Sequence, residues 1–430
     1  MPNNKMNGAL PEEMKFLTAL HLIDFSHNTI QGSIPSQFTQ LGHMQFFDLR
    51  NNELTGSIPA SICTSFQNLR ELGLSFNQMT GTLPSSMSQM EKLKTLALEH
   101  NNFESSLAPI SYLPELEYLY LENNRFKDTV DDQFLIDSTS LVHLDLSSNL
   151  LTGQGLPHHF FAFPNLEVLD LSDNQIKGTI HDVHIRKHPL EYLSLSNNSL
   201  TGTLPTTIAY LRSLRHLDLT DNHLSGDIPA TLGKIKPLIH LFLSENVWTP
   251  GPIPEFLSEM SNLRELGLRA TNRMGALSPQ WFERLQLLEH FDISNNKMTG
   301  SIPSLLLTNS HLHFALLNRN EFDGELSTEI IGSNLQLLLL DKNRVTGNLT
   351  GLCTGSNISI VADCVEDEIV CKCCHCCADS DVMCNNYVWY MNEEFSWESK
   401  YTRTGYAFSP GLLMPKTKGH HSQGVHVNHV

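Results

Sequence analysis

Basic residues and long apolar runs are scarce in this sequence. Lys and Arg number 28 against 46 Asp and Glu, which leaves a formal net charge of −18. This charge argues against nucleic-acid phosphates and anionic membrane surfaces as partners. The longest predominantly aliphatic run covers only residues 335–340 and contains one Gln, whereas a membrane-spanning helix needs about 20 apolar residues. We therefore expect no nucleic-acid partner and no transmembrane span in this chain.

Signal and catalytic motifs are also lacking. The first thirty residues do not show the basic, then apolar, then small-residue order of a secretory signal. No nucleophile elbow, Gly-rich phosphate loop or H-E-x-x-H motif occurs. The sequence thus favours a protein that is not an enzyme and that needs no cofactor.

A repeat dominates what is present. The frame L-x-x-L-x-L-x-x-N-x-L/M/F-x-G-x-I/L-P recurs every 23 to 25 residues, and fifteen copies fit between residues 4 and 343. Between Asn246 and Asn296 the anchor position holds Thr271 instead. The anchors predicted to form a structural ladder are Asn4, Asn28, Asn52, Asn77, Asn101, Asn124, Asn149, Asn174, Asn198, Asn222, Asn246, Asn296, Asn320 and Asn343.

Each fixed position of the repeat has a physical reason, shown here for residues 214–229. Leu217 and Leu219 alternate with polar residues, which predicts a short strand with one buried side. The amide of Asn222 can satisfy backbone groups in the turn after that strand. Gly226 permits a tight path into a second extended stretch. Residues 230–237 then predict a short helical turn on the outer side.

The repeat resembles the plant-specific subclass of leucine-rich repeats, whose hallmark is L-x-G-x-I-P after the asparagine. "GSIP" at 32–35, 56–59 and 300–303 and "GTLP" at 81–84 and 202–205 carry the resemblance. It implies an α/β solenoid, right-handed and curved, with a concave parallel β-sheet. It also implies binding of a protein, peptide or glycan, as in plant receptor-like proteins and polygalacturonase-inhibiting proteins.

The chain opens in the middle of a repeat. Residues 3–14, "NNKMNGALPEEM", match residues 295–306, "NNKMTGSIPSLL", but no strand half precedes Asn4. Because a solenoid needs a polar cap on its open end, we expect a truncated N-terminus from which a signal segment is missing. The alternative is a degenerate first repeat that frays. We expect the solenoid to cover residues 1–350.

Eight of the nine cysteines follow the last repeat. They predict a disulfide-stapled cap over residues 351–408 in an oxidising compartment, whereas residues 409–430, with their four His, predict a disordered tail. The rival interpretation is a thiolate metal site in an intracellular, cytoplasmic scaffold. The predicted disulfide residues are Cys353, Cys364, Cys371, Cys373, Cys374, Cys376, Cys377 and Cys384.

The candidate binding surface is the set of outward strand positions on the predicted concave face. Two columns emerge there, one of aromatic and His residues and one rich in Asp, which suit a polar ligand. For the aspartates, the alternative is a structural consensus role. His beside carboxylates also suggest pH-dependent binding. The predicted partner-binding residues are Tyr118, Tyr120, His143, Asp145, Tyr192, His216, Asp218, His240, Phe242, His290 and Asp292.

Two functions remain open. The favoured one is an extracellular or cell-surface recognition module, receptor-like in character, with a role in signalling or defence. The alternative is the intracellular scaffold with a metal-binding C-terminal segment. The sequence leaves the oligomeric state undetermined.

Overall fold

One parallel sheet runs through the length of the repeat array. The computed structural model describes residues 2–326, 334–350, 358–364, 369–371 and 374–376, all within the compact unit Met1–Cys376. In these residues the sheet has sixteen strands in chain order, each paired in parallel with the next. The strands of this long sheet are Leu22–Asp24, Phe46–Asp48, Glu71–Gly73, Thr95–Ala97, Tyr118–Tyr120, His143–Asp145, Val168–Asp170, Tyr192–Ser194, His216–Asp218, His240–Phe242, Glu265–Gly267, His290–Asp292, Phe314–Leu316, Leu337–Leu339, Ser359–Ala362 and His375–Cys376.

A second run of short parallel strands follows the anchor positions. These strands come from the L-x-G segment of the repeat and pair from one copy to the next in four shorter sheets. Gly226 has φ 76, and a Cβ there would meet Thr203 Cγ2 at 2.8 Å, which explains why this position needs glycine. The strands are Asn7–Ala9, Thr29–Gly32, Glu53–Leu54, Thr80–Gly81, Asn102–Phe103, Thr152–Gly155, Gln175–Thr179, Ser199–Thr203, His223–Gly226, Val247–Trp248, Met274–Ala276, Lys297–Gly300, Glu321–Glu325, Arg344–Asn348 and Ile369–Val370.

Short helices close most of the repeats on the side away from the long sheet, where the sequence predicts helical turns. Proline directly precedes most of them, where its fixed φ ends the preceding extended stretch. The 3-10 helices are Glu12–Phe16, Ser36–Gln40, Ser85–Gln89, Ala108–Ile110, His158–Ala162, Thr206–Tyr210, Ala230–Lys234 and Glu255–Glu259. The α-helices are Ala60–Ser65, Gln280–Arg284 and Ser304–Leu307.

The repeat leucines form one continuous core between the long sheet and the helical turns. Leu217 and Leu219 are fully buried, as the alternation in their strand predicts. Cys63, the cysteine that lies within the repeats, is also buried in this core with a free thiol and packs there as a small apolar residue. Because no single copy can bury its leucines alone, each repeat depends on its neighbours.

The predicted asparagine ladder is present, and Asn222 shows its geometry. The Asn222 Nδ2 donates to Leu195 O of the preceding repeat at 2.9 Å and lies within hydrogen-bond distance of Leu219 O and Thr220 O in its own. Its Oδ1 accepts from Leu200 N at 2.9 Å. One side chain thus ties two adjacent turns of backbone together. The same pattern recurs at Asn52, Asn77, Asn101, Asn124, Asn149, Asn174, Asn198, Asn246, Asn296, Asn320 and Asn343.

At the N-terminal end of the array, Asn28 continues the ladder. Asn28 Oδ1 accepts from Met6 N at 3.0 Å, while its Nδ2 donates within its own repeat. The exposed Asn4 donates to Pro2 O at 2.9 Å, a contact two residues away in the chain.

The repeat with Thr271 in place of asparagine uses an arginine instead. Thr271 Oγ1 donates to Leu268 O at 2.5 Å, but a hydroxyl cannot reach all the groups that the amide would. The buried Arg273 guanidinium donates to the carbonyls of Thr271, Pro252 and Thr249. A single Arg side chain therefore satisfies backbone acceptors at the break in the ladder.

The long sheet continues past residue 350, where the sequence predicts that the repeats end. Ser359–Ala362 pairs with Leu337–Leu339, and His375–Cys376 pairs with Ser359–Ala362. Disulfides join Cys364 to Cys376 and Cys371 to Cys374 beside these strands. The remaining predicted disulfide residues, Cys353, Cys373, Cys377 and Cys384, and the predicted tail lie outside the described residues.

Candidate ligand-binding face

The concave face is the side of the long sheet opposite the leucine core. It is formed by the first and third residues of each strand, whose side chains alternate with the buried central residue. In-register pairing places Tyr192 beside His216 and Ser194 beside Asp218. All the predicted partner-binding residues occupy these positions. Of these, Tyr118, Asp145, Tyr192, Asp218 and His240 are partly exposed, whereas Tyr120, His143, His216, Phe242, His290 and Asp292 are buried.

Rings on neighbouring strands pack against one another along this face. Tyr192 and His216 stack with centroids 4.2 Å apart, and His216 lies 5.5 Å from His240. Tyr120 and His143 approach to 4.5 Å further towards the N-terminus. This packing buries part of each ring and restricts its movement, so the face presents a preorganised surface.

Burial keeps the central histidines uncharged. It lowers the pKa of each of His143, His216 and His290 to about 3. The prediction that histidines titrate near neutral pH is therefore wrong for these three residues. Their imidazoles act as neutral rings and hydrogen-bonding groups.

The aspartates of the same face titrate at unusually high pH. Burial, followed by the nearby charge of Asp170, raises the pKa of Asp145 to about 8, and burial raises the pKa of Asp218 to about 6. Asp170 Oδ2 also accepts from the Tyr192 hydroxyl at 3.3 Å. Near neutral pH, Asp145 and Asp218 can change charge, whereas His143, His216 and His290 stay uncharged.

These aspartates have a local structural role as well. Asp145 and Asp218 each accept a backbone N–H two residues on, at 2.9 Å, from Ser147 and Thr220. The alternative weighed from sequence, a structural consensus role, therefore describes part of what they do.

Glu99 and Glu122 belong to this face, although the sequence did not single them out. Each follows the last strand leucine of its repeat, a position held by Ser147 and Ser172 in the next two copies. Glu99 is fully buried, and burial raises its pKa. This position is most often serine along the repeats, so two successive acids there could have been recognised from the sequence as candidate site residues.

The concave face becomes apolar near its C-terminal end, beyond the last predicted site residue. Phe314, Leu316, Leu337 and Leu339 occupy the same two positions as the rings and acids further up the sheet, and all four are buried. The strands Phe314–Leu316 and Leu337–Leu339 thus present apolar residues at both of these positions.

Two further features of the described residues concern metal binding and membrane spans. No group of three or more His, Cys, Asp or Glu side chains in that part of the chain is arranged to hold a metal ion. No helix in the described ranges combines the length and apolar character needed to cross a bilayer.

Family models match most of the repeat array. A leucine-rich repeat region model covers residues 152–308, and a leucine rich repeat model covers residues 114–176. A third model matches residues 19–41, 43–65 and 68–90. The matched segments lie within the array of repeats seen in the structure.

Two curated relatives come from different kingdoms. Receptor-like protein 39 of Arabidopsis thaliana is 35% identical over 97 residues, which is 22% of this chain and 11% of that protein. Fibromodulin of Oryctolagus cuniculus is 34% identical over 132 residues, covering 26% of this chain and 89% of the relative's sequence. The plant match spans only a small part of its relative.

Solved plant receptor ectodomains share the fold over most of this chain. The plant peptide hormone receptor RGFR1, in complex with RGF2, has a TM-score of 0.73 at 26% identity. The match covers 84% of this chain and 61% of the RGFR1 chain. The Arabidopsis receptor kinase HAESA, in complex with the peptide hormone IDA and the co-receptor SERK1, has a TM-score of 0.64 at 26% identity. The match covers 87% of this chain and 65% of the HAESA chain. The chain belongs to the leucine-rich repeat family and resembles plant receptor ectodomains.

Proposed function

We propose that this chain is a non-catalytic recognition module that binds an extended peptide, free or as part of a protein, along its concave face. The observation that carries the proposal is the line of packed rings on successive strands, bordered by carboxyl groups. Rigid rings supply contact area without a large loss of side-chain entropy, and polar groups beside them fix orientation.

The size of the polar surface suits a peptide. Between Tyr118 and His290 lie seven inter-strand steps of about 4.8 Å, or about 34 Å in total. An extended chain advances about 3.3 Å per residue, so about ten residues span this distance. A surface this long and open suits a chain-like ligand better than a small molecule, which binds in a closed pocket.

The relatives support the same proposal. RGFR1 is described in complex with RGF2, and HAESA in complex with the peptide hormone IDA. Both cover more than four fifths of this chain.

We place the module outside the cell or at its surface. The bonds Cys364–Cys376 and Cys371–Cys374 require an oxidising compartment to persist. They also occupy four of the thiols that an intracellular metal site would need. A receptor-like role in signalling or defence follows from the likeness to receptor ectodomains.

Replacing the central rings should weaken peptide capture. Peptides are first selected with the full chain from a phage-displayed library of random twelve-residue sequences. We expect the combined variant Tyr192→Ala, His216→Ala and His240→Ala to bind the selected peptides at least about tenfold more weakly, because it removes the ring surface. Fluorescence anisotropy with synthetic copies measures the change.

A matched variant controls for general effects of losing one Tyr and two His. Tyr112, His184 and His223 are exposed and lie off the long sheet. Their combined replacement by Ala should leave binding unchanged. Circular dichroism checks that both variants are folded. Equal binding by the folded concave variant and the wild type would exclude this face as the binding surface, and a selection that yields no peptide would count against the function itself.

A further inference from the structure

Three segments of the sequence match the acceptor motif for N-linked glycans, Asn-x-Ser/Thr with x other than proline, and they begin at Asn197, Asn348 and Asn357. The motif is modified in proteins that pass through the secretory pathway. A folded chain can accommodate the bulky glycan only where the asparagine side chain reaches solvent. The surroundings of each asparagine therefore decide how well it suits a glycan.

Asn348 ends a strand of one of the short sheets, on the solvent side of that strand. Along Arg344–Asn348 the side chains alternate, because Val345 is buried whereas Arg344, Thr346 and Asn348 are exposed. The strand lies outside the long sheet that forms the concave face. A glycan on Asn348 thus starts from a surface other than the candidate ligand-binding face.

The threonine of this motif is held next to the asparagine. Asn348 Oδ1 accepts from Thr350 N at 3.0 Å, which closes an Asx turn. Leu349, between these two residues, is fully buried and donates its N–H to Val370 O at 2.8 Å. The leucine anchors the motif to the core, while Asn348 is exposed and Thr350 is partly exposed.

An exposed apolar residue lies beside Asn348. The strand Ile369–Val370 pairs in parallel with Arg344–Asn348 and places Val370, which is 46% exposed, in register with Asn348. Paired strands lie about 4.8 Å apart, and residues in register project from the same side of the sheet. The first sugar on Asn348 therefore comes next to Val370 and shields an apolar surface from water.

Asn197 suits a glycan less well. Its side chain is exposed, but Nδ2, the atom that would carry the sugar, donates to Asp173 Oδ1 at 2.6 Å. It also follows the strand Tyr192–Ser194 of the candidate ligand-binding face by only three residues, so a glycan there would obstruct a ligand. Asn357 lies outside the described residues. Asn348 is therefore the acceptor that the fold favours.

We propose that Asn348 is an N-glycosylation site. This inference rests on the extracellular placement proposed above, because the glycan is added within the secretory pathway. In the transfer, Asn348 Nδ2 forms a bond to the anomeric carbon of an oligosaccharide that is carried on a lipid diphosphate. The bond from that carbon to the diphosphate oxygen breaks, Nδ2 gives up one proton, and the lipid diphosphate leaves.

The test produces the full chain behind a secretory signal peptide in mammalian cells and recovers it from cells and medium. Peptide-N-glycosidase F in heavy-oxygen water converts a glycosylated Asn into an Asp with one heavy oxygen atom, which mass spectrometry locates. Thr350→Ala removes the motif and Thr350→Ser keeps it. The matched control, Thr346→Ala, changes an exposed threonine of the same strand outside the motif.

We expect the heavy-oxygen mark at Asn348 in the wild type, in Thr350→Ser and in Thr346→Ala, and its loss in Thr350→Ala. Because Thr350→Ala keeps Asn348 itself, the loss reports recognition of the motif. The glycan is added as the chain enters the secretory pathway, so this result does not depend on how well the variant folds. Thr350→Ala should bind the selected peptides within about twofold of the wild type, since Asn348 lies off the concave face.

Two results would overturn the inference. One is a wild-type chain whose Asn348 carries no mark, whether or not Asn197 carries one. The other is a mark at Asn348 that survives Thr350→Ala. Neither result affects peptide binding, so the proposed function would stand. A glycosylated chain that selects no peptide from the library is the opposite case, because it removes the proposed function and supports the glycan at Asn348.

Discussion

Replacing Asn222 by Ala is expected to lower the free energy of unfolding by about 3 to 5 kcal/mol. The side chain lies almost fully inside the fold and bonds to backbone groups of two repeats. Alanine leaves the N–H of Leu200 without a partner and removes the shorter of the two amide donors to the carbonyl of Leu195, in a region that water does not reach. Urea unfolding followed by circular dichroism measures the loss.

The control for this change is Asn165→Ala, which replaces an exposed asparagine before a strand of the same sheet. It should alter the free energy by less than about 0.5 kcal/mol. Because stability in a repeat array is shared between neighbours, the ladder variant should also broaden the transition. A loss at Asn222 no larger than at Asn165 would refute the structural role of the ladder.

The second large effect is a gain of stability from Asp145→Asn that depends on pH. In the unfolded chain an Asp titrates near pH 3.9, whereas burial and the charge of Asp170 raise the pKa of Asp145 to about 8 in the fold. Between these pH values the unfolded chain releases a proton that the folded chain keeps, so folding stability falls as pH rises from about 4 to 8. Asparagine removes this loss.

We expect Asp145→Asn to raise stability by on the order of 2 kcal/mol at pH 8 and to change it little at pH 4. The Asn carbonyl can still accept the Ser147 N–H that Asp145 accepts at 2.9 Å. Thermal unfolding at several pH values measures the effect, with the exposed Asp137→Asn as control. A gain that is the same at pH 4 and pH 8, or a loss at pH 8, would show that Asp145 is not held protonated by the fold.

The solenoid could be predicted from sequence because its determinants are local and repeated. The alternation around Leu217, the amide of Asn222 and the glycine at 226 each has a geometric reason within one repeat. Because many copies share the pattern, a degenerate position in one copy does not obscure the prediction. The replacement of the ladder asparagine by Thr271 could also be read from the sequence. The hydrogen bonds of Arg273 could not, because they depend on carbonyls from the preceding repeat.

The candidate site was predictable in position but not in chemistry. Strand alternation places His143, His216 and His290 on the concave face, as expected. Their charge depends on how tightly neighbouring strands pack, which sequence alone does not show, and burial turned expected proton-binding groups into neutral rings.

Glu99 and Glu122 were missed for a related reason. The predicted site residues all flank the central strand leucine of their repeat, whereas these two acids follow the next leucine along the chain. Their relevance comes from burial and from oxygens without donors, both of which are properties of the folded chain.

The most direct test of the proposed function is to map where a bound peptide lies. A selected peptide carrying a benzophenone photo-cross-linker is bound to the full chain, irradiated and digested, and the adducts are located by mass spectrometry. Binding on the concave face predicts adducts in the strands Tyr192–Ser194, His216–Asp218 and His240–Phe242. Adducts concentrated instead in the helical turns Thr206–Tyr210 and Ala230–Lys234 would place the ligand on the opposite side of the repeats and contradict it.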